Sequence, residues 1–209
     1  MQKKFFEIID EFKEVPKASK LMIDALKELL PEKDNRFAFY FSIVLGFLLS
    51  LIIGVSSETV VFFAKTCELL IDVQLAIFGC VFAVYSILLA FLSDRYVKRL
   101  AKISAAGEPS VLKKYITYYE SVLFLYFINI GISGMMLLFV DCIAPDARLT
   151  GNLLLDNLLA TVGLTLYFSF SFRVFYEVKS TIYNTIVLLR TSMAYRFLDF
   201  LEEEEKLSK

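Results

Sequence analysis

Three polar side chains beside or inside apolar stretches are the residues of this chain best suited to chemistry. Asn129 lies within the uncharged stretch 121–140, where its amide can bond to a neighbouring helix for an average gain of about 0.6 kcal/mol. Glu120 and Arg173 each flank an apolar stretch, at a depth where an unpaired charge is costly. We therefore predict that Asn129 joins two helices and that Glu120 and Arg173 form an ion pair at one membrane surface.

The absence of histidine removes the commonest general base and metal ligand at neutral pH. Ser-His, Cys-His and HExxH sites are thereby excluded, so we expect no enzymatic activity, no metal and no cofactor. The net charge of −1 argues against direct nucleic-acid binding, which requires a concentrated excess of Lys and Arg.

The elements that carry these residues are four apolar blocks in a chain of 57% hydrophobic and 15% aromatic residues. Each block approaches the roughly 20 residues that cross the hydrocarbon core as a helix. They predict an all-α polytopic membrane protein with four transmembrane helices at 37–55, 73–93, 121–140 and 153–172. The fourth is the least secure, because Asp156 interrupts its first residues.

The distribution of Lys and Arg predicts the orientation, because short basic loops remain in the cytoplasm. Twenty of these residues fall on one side of the four spans and two on the other. Both termini should therefore be cytosolic. The loop 94–117 is also cytosolic and basic; its usual role is topogenic and a specific anionic ligand is the alternative, with cations at Arg95, Lys98, Arg99, Lys102, Lys113 and Lys114.

Helical segments should extend from both ends of the spans into the cytoplasm. Residues 1–36 contain two amphipathic patterns, one from Phe5 to Phe12 and one from Leu21 to Leu30. We expect them to pack on other cytosolic helices, with a place in the lipid interface as the alternative. Residues 173–209 contain no Gly or Pro after Arg173, so the fourth helix should continue to an acidic tail, with heptad-like apolar positions at Ile182, Ile186, Leu189, Met193 and Phe200.

Small residues four apart mark a face of the first span, at Gly46, Ser50 and Gly54. Such a ladder lets another backbone approach closely, either within the subunit or between subunits. We predict that subunits associate through this ladder together with Ile186, Leu189 and Met193. The second span has its own small face, at Gly79, Ala83, Ser86 and Ala90.

Two cysteines, Cys67 and Cys142, fall in the predicted outer connections. A disulfide between them is possible in an oxidising compartment, and two unpaired thiols are the simpler expectation.

The stretch from Gln74 to Gly79 through Tyr85 and the exit helix Asp94 to Lys102, within this layout, resemble the membrane subunit of the Kiwa anti-phage system. Small four-span partners of other bacterial defence systems, including the membrane accessory of some Cas13-type CRISPR loci, are similar at this level. The Kiwa resemblance implies a homo-oligomer in the bacterial inner membrane, with a tetramer as the guessed number. It would sense infection and work with a soluble cytosolic partner acting on phage DNA. No functional residue of the family is carried over.

Two functions remain open from the sequence. The first is a sensor and scaffold in the lipid bilayer that recruits or controls a cytosolic partner. The alternative is a small ion channel or pore that depolarises the membrane, along a path lined by Asn129, Ser133, Thr161, Thr165 and Ser169.

Overall fold

Six helices make up the part of the chain that the computed structural model describes, residues 17–31, 36–91, 94–103, 109–144 and 150–207. No strand occurs in those ranges, and four of the helices are long and apolar enough to cross a membrane. The chain is an all-α polytopic membrane protein. In order, the helices are α1 (Ala18–Glu28), α2 (Arg36–Gly54), α3 (Thr59–Phe91), α4 (Asp94–Lys102), α5 (Val111–Asp141) and α6 (Leu153–Leu207).

The helices α3 and α5 begin well before the spans predicted within them. α3 starts at Thr59, because the apolar run that follows has no breaker and prolongs the second span outward. α5 starts at Val111, where the Ser110 hydroxyl caps the helix by accepting from the Lys113 backbone N–H at 3.3 Å. The predicted loop 94–117 is therefore largely helical, while residues 104–108 lie outside the description.

The charge that made the fourth span uncertain, Asp156, is accommodated at the start of α6. Asp156 lies in the first turn of α6 and accepts from the Thr150 backbone N–H at 2.9 Å and its hydroxyl at 2.7 Å. A carboxylate is favourable at this end of a helix, where backbone N–H groups lack partners. From there α6 runs for 55 residues without a break, a length of about 82 Å at 1.5 Å per residue.

Two opposite faces of α6 hold the other spans. On one face α2 packs antiparallel, with Gly46 against Ser169 and Gly54 against Thr161. On another, α5 packs antiparallel, with Asn129 bonded to Ser171 and Ser133 to Tyr167. α3 packs mainly on α5 and so lies on the same side of α6 as α5. α6 therefore stands between α2 and the pair of α3 and α5, as the central helix of the bundle.

The antiparallel register relates depth on one span to depth on another. On α2 each step of four residues towards the C-terminus matches a step of four towards the N-terminus of α6. Extending this register places Phe37 to Gly54 level with residues 161–178 of α6. The rest of the helix, residues 179–207, we call the stem; it projects about 43 Å beyond that level.

The helices α1 and α4 both lie at the end of the bundle from which the stem projects, which we call the basic side. Ala25 and Leu29 of α1 are buried in a cluster with Val122, Tyr126 and Val174. α1 thus packs on other helices of the chain, where α5 and α6 pass out of their predicted spans. The first amphipathic pattern, Phe5 to Phe12, lies outside the described residues.

Candidate functional site: a buried polar seam along the central helix

A buried ion pair lies on α6 at the basic side of the bundle. Arg173 donates to the Glu177 carboxylate one turn further along the same helix. The second terminal nitrogen of Arg173 donates to the backbone carbonyl oxygen of Glu28 at 3.2 Å. Arg173 is 3% exposed and Glu177 is 7% exposed, so both charges are removed from solvent and lipid.

The predicted pairing of Arg173 with Glu120 is wrong. Glu120 instead accepts from the Tyr85 hydroxyl at 3.4 Å, on the face of α5 that meets α3. The actual partner of Arg173 stands four residues away, the spacing at which oppositely charged side chains meet on a helix. That spacing was readable in the sequence, whereas the direction in which Glu120 points was not.

The register places Arg173 inside the apolar layer, which we define as the depth from Phe37 to Gly54, and places Glu177 at its edge. Arg173 is level with Ser42 of α2, which follows the helix start at Arg36 by about 9 Å. An intramembrane charge normally faces protein or water and has a partner. Both conditions are met here, because Glu177 neutralises the guanidinium and α1 lies over it.

Further towards the middle of the bundle, α5 and α6 are joined by an amide and a hydroxyl. The Ser171 hydroxyl donates to the Asn129 side-chain oxygen at 3.0 Å, and Asn129 is fully buried. The structure thus places Asn129 between two helices, as predicted. Its amide nitrogen has no hydrogen-bond partner.

A second group of bonds ties three helices together. The Tyr167 hydroxyl of α6 donates to the Ser133 hydroxyl of α5 at 2.8 Å, and the Gln74 amide of α3 donates to the same oxygen at 3.2 Å. The sequence analysis missed Gln74 and Tyr167 as site residues, although a Gln inside an apolar block is a readable signal. With the ion pair and Asn129, these groups form the polar seam, defined as Gln74, Asn129, Ser133, Tyr167, Ser171, Arg173 and Glu177.

The small-residue ladder of the first span contacts α6 of the same chain. A Cβ atom added to Gly46 would lie 2.6 Å from the Ser169 backbone nitrogen, and one on Gly54 would overlap Thr161. Between them the Ser50 and Thr165 hydroxyl oxygens are 2.6 Å apart. The prediction that Gly46, Ser50 and Gly54 contact another subunit is therefore wrong, because α6 already occupies that face.

The five side chains predicted to line a conducting path are not brought together within one subunit. Asn129 and Ser133 belong to the polar seam between α5 and α6. Thr161, Thr165 and Ser169 lie on the other side of α6, against the ladder of α2. Of the second set only Thr165 bonds across that contact, to Ser50, and the Ser169 hydroxyl has no hydrogen-bond partner.

The predicted basic loop folds back onto the stem. Arg95, Lys98, Arg99 and Lys102 all lie in α4, and the Arg99 guanidinium stands over the Tyr195 ring at 5.1 Å. Tyr96 stacks on the same ring at 5.2 Å, and burial raises the pKa of Tyr96 above its ordinary value. Lys98 is exposed, and at the start of α5 Lys113 is half-buried and Lys114 exposed.

The heptad-like positions of the stem divide between two surroundings. Ile186 and Met193 are exposed, whereas Leu189 packs partly against the cluster of α4 and α5. The opposite face of the stem, with Thr181, Leu188 and Ser192, is buried. Within the part of the chain that the structure describes, one face of the stem is therefore covered and an apolar face is open.

The three cysteines are free thiols, Cys67 buried and Cys80 and Cys142 exposed. Within the described ranges no group of His, Cys, Asp and Glu is placed to hold a metal ion. In comparisons with family models, with curated proteins and with solved structures, nothing matches the chain.

Proposed function

We propose that the chain is an oligomeric scaffold and sensor of a bacterial inner membrane, assembled through its stem and serving antiviral defence. The observation that carries the assembly is an apolar stripe on the stem, formed by Ile182, Ile186, Met193, Phe197 and Phe200. Met193 is 59% exposed and Phe200 62% exposed. A contiguous apolar surface of this kind marks an interaction site when it lies outside the membrane.

The stripe lies beyond the apolar layer. Residue 178 of α6 is level with Phe37. The stripe begins at Ile182, four residues after that level, and ends at Phe200, about 33 Å beyond it. Lipid therefore does not cover most of it. The helices α4 and α5 cover another face of the stem, and among the described residues no further element packs on the stripe.

A second copy of the chain is the occupant that the stripe fits best. Stems of subunits in one membrane project in the same direction and lie side by side. Ile186, Met193 and Phe200 recur at seven-residue intervals, the repeat by which parallel helices bury a shared apolar seam. Identical stripes around a symmetry axis satisfy one another in a closed ring.

The defence role and the soluble partner are supported by layout. The small outer connections and the helices gathered on the basic side match the arrangement that resembles the Kiwa membrane subunit. A ring of stems is a suitable platform for a soluble cytosolic protein, because it repeats one surface several times at short distance.

The mass of the protein in detergent tests the assembly. Wild type should be a small oligomer, and the double variant Ile186→Glu with Met193→Glu should be a monomer, because buried carboxylates would have no partners. The control carries the same two charges as Tyr183→Glu with Ala194→Glu, at exposed positions beside the stripe. It should keep the wild-type mass.

A monomeric wild type, or a stripe variant with unchanged mass, would overturn the assembly. For the defence role, the native locus should lower phage plating on its bacterial host, and the stripe variant should restore plating. Equal plating with and without the wild-type gene would reject that role and leave the assembly intact.

A further inference from the structure

The ion pair of the polar seam lies on a row of α6 that otherwise faces lipid. Leu159 and Leu166 are exposed in the outer half of the same helix, and Arg173 follows at the next seven-residue step. Residues seven apart lie on nearly the same side of a helix. Without α1, the two charges would therefore project towards the acyl chains.

The cover over this ion pair is a short helix with a direct bond to it. α1 has 11 residues, and helices of this length are marginal in water unless something packs on them. Ala25 and Leu29 supply the packing, against Tyr126 and Val174 among others. The carbonyl oxygen of Glu28, at the C-terminal end of α1, accepts the bond from Arg173, where the partial negative charge of the helix favours a cation.

The outer face of α1 lies at the depth of the apolar layer. The exposed apolar residues of α1 and the turn after it are Ile23, Leu26 and Leu30, and its buried residues share a cluster with Val174, which the register places level with Phe41 of α2. At this depth the surroundings of an exposed apolar side chain are lipid. Lys20 and Lys27 are exposed on the same helix, and Asp24 and Lys27 form an ion pair at 3.0 Å, so charge adds little attraction for anionic headgroups.

We propose that α1 is a half-inserted helix that binds the acyl chains of the adjacent leaflet through Ile23, Leu26 and Leu30 and closes over the Arg173–Glu177 ion pair. Because one helix makes both contacts, the packing of that leaflet and the exposure of the ion pair are linked. This goes beyond the proposed scaffold and does not require the stems to assemble.

Depth measurement by electron paramagnetic resonance tests the lipid contact. A cysteine-free chain, with nitroxide attached at Leu26→Cys, is placed in vesicles of phosphatidylethanolamine and phosphatidylglycerol at a ratio of about three to one. Collisions with oxygen should exceed those with a water-soluble nickel chelate. The matched control is Leu198→Cys on the stem, outside the stripe, which is 48% exposed against 39% for Leu26 and should show the reverse order. A Leu26 label as accessible to nickel as the Leu198 label would overturn the lipid contact.

Thiol protection tests the link to the ion pair. Ala25 is fully buried, so a thiol at Ala25→Cys should react slowly with a small methanethiosulfonate in the same vesicles. Replacing both charges, Arg173→Leu with Glu177→Leu, should raise the rate about tenfold, the factor expected from losing a charged hydrogen bond. The variant Arg173→Lys keeps the ion pair and removes the second donor, and it should raise the rate in the same direction. Unchanged rates in both variants would overturn the link.

Discussion

Ser50 and Thr165 hold the first and fourth spans together at a point where both backbones are close. Their hydroxyl oxygens are 2.6 Å apart, and each hydroxyl also lies within hydrogen-bond distance of a carbonyl oxygen of its own helix, Phe47 for Ser50 and Thr161 for Thr165. Gly46 and Gly54 contact α6 one turn to either side. This short stretch is the principal attachment of α2, which has few contacts with the other spans.

Enlarging Gly46 should weaken that attachment. Gly46→Leu forces the two helices apart, because the backbone of Ser169 cannot yield as a flexible side chain can, and we expect a loss of about 1–3 kcal/mol in the free energy of unfolding. Unfolding in mixed micelles measures it. Gly79→Leu is the control, since open space surrounds Gly79; equal losses in the two variants would contradict the intrachain contact.

Removing one charge of the seam should be far more costly than removing Glu120. Arg173→Leu leaves the Glu177 carboxylate buried without its partner, and we expect a loss of about 3–5 kcal/mol. The double variant Arg173→Leu with Glu177→Leu should recover most of it. Glu120→Gln should change the same unfolding free energy by less than about 1 kcal/mol. If reversing Arg173 and Glu120 together rescued either single reversal, the observed pairing would be refuted.

Mutations in the two hydrogen-bonded groups of the polar seam should lower the free energy of unfolding by different amounts. Ser133→Ala removes the oxygen to which both Gln74 and Tyr167 donate and leaves the buried Gln74 amide without its acceptor, so we expect the free energy of unfolding to fall by about 1–3 kcal/mol. Asn129→Leu removes one bond and an amide nitrogen that has no partner, so about 0.6 kcal/mol is expected. Unfolding of both variants in the same micelles compares them, and a larger cost for Asn129→Leu would contradict this ranking.

The contact of α4 with the stem should depend on one aromatic ring. Tyr195→Ala removes the ring that stacks on Tyr96 and lies under Arg99, a combination worth about 1–3 kcal/mol. Protease cleavage within α4 should accelerate accordingly in detergent. Tyr183→Ala is the matched control, because Tyr183 is exposed on another face of the stem; faster cleavage in that variant as well would argue against a specific contact.

The spans could be predicted from the sequence because their signal is compositional. Loss of charge over some 20 residues is sufficient to identify a crossing helix, and the absence of Gly and Pro after Arg173 was sufficient to predict the stem. The starts of α3 at Thr59 and of α5 at Val111 were not predicted. The length of an apolar stretch determines the part of a helix that lies inside lipid and not the part that continues beyond it.

The contacts between helices were less predictable. A sequence indicates how deep in the membrane a residue lies, but it does not indicate which neighbouring helix its side chain faces. The ladder of Gly46, Ser50 and Gly54 correctly indicates a close backbone contact, yet small residues do not specify which helix fills it. Glu120 and Arg173 were correctly placed towards the same side of the bundle. They point to different neighbours because Glu120 lies on the face of α5 that meets Tyr85.

Because α6 is continuous, a tilt of its membrane part also moves the stem. Its attachment to α2, its ion pair under α1 and its exposed stripe all lie on one unbroken rod that contains no Gly or Pro after Gly163, so a displacement at one point is carried to the others. With an arm of about 43 Å beyond the bundle, a tilt of about 10° would move the tip near Leu207 by about 7 Å. Small adjustments among the spans are thereby magnified at the tip of the stem, which in the proposed ring would change the spacing of the stems.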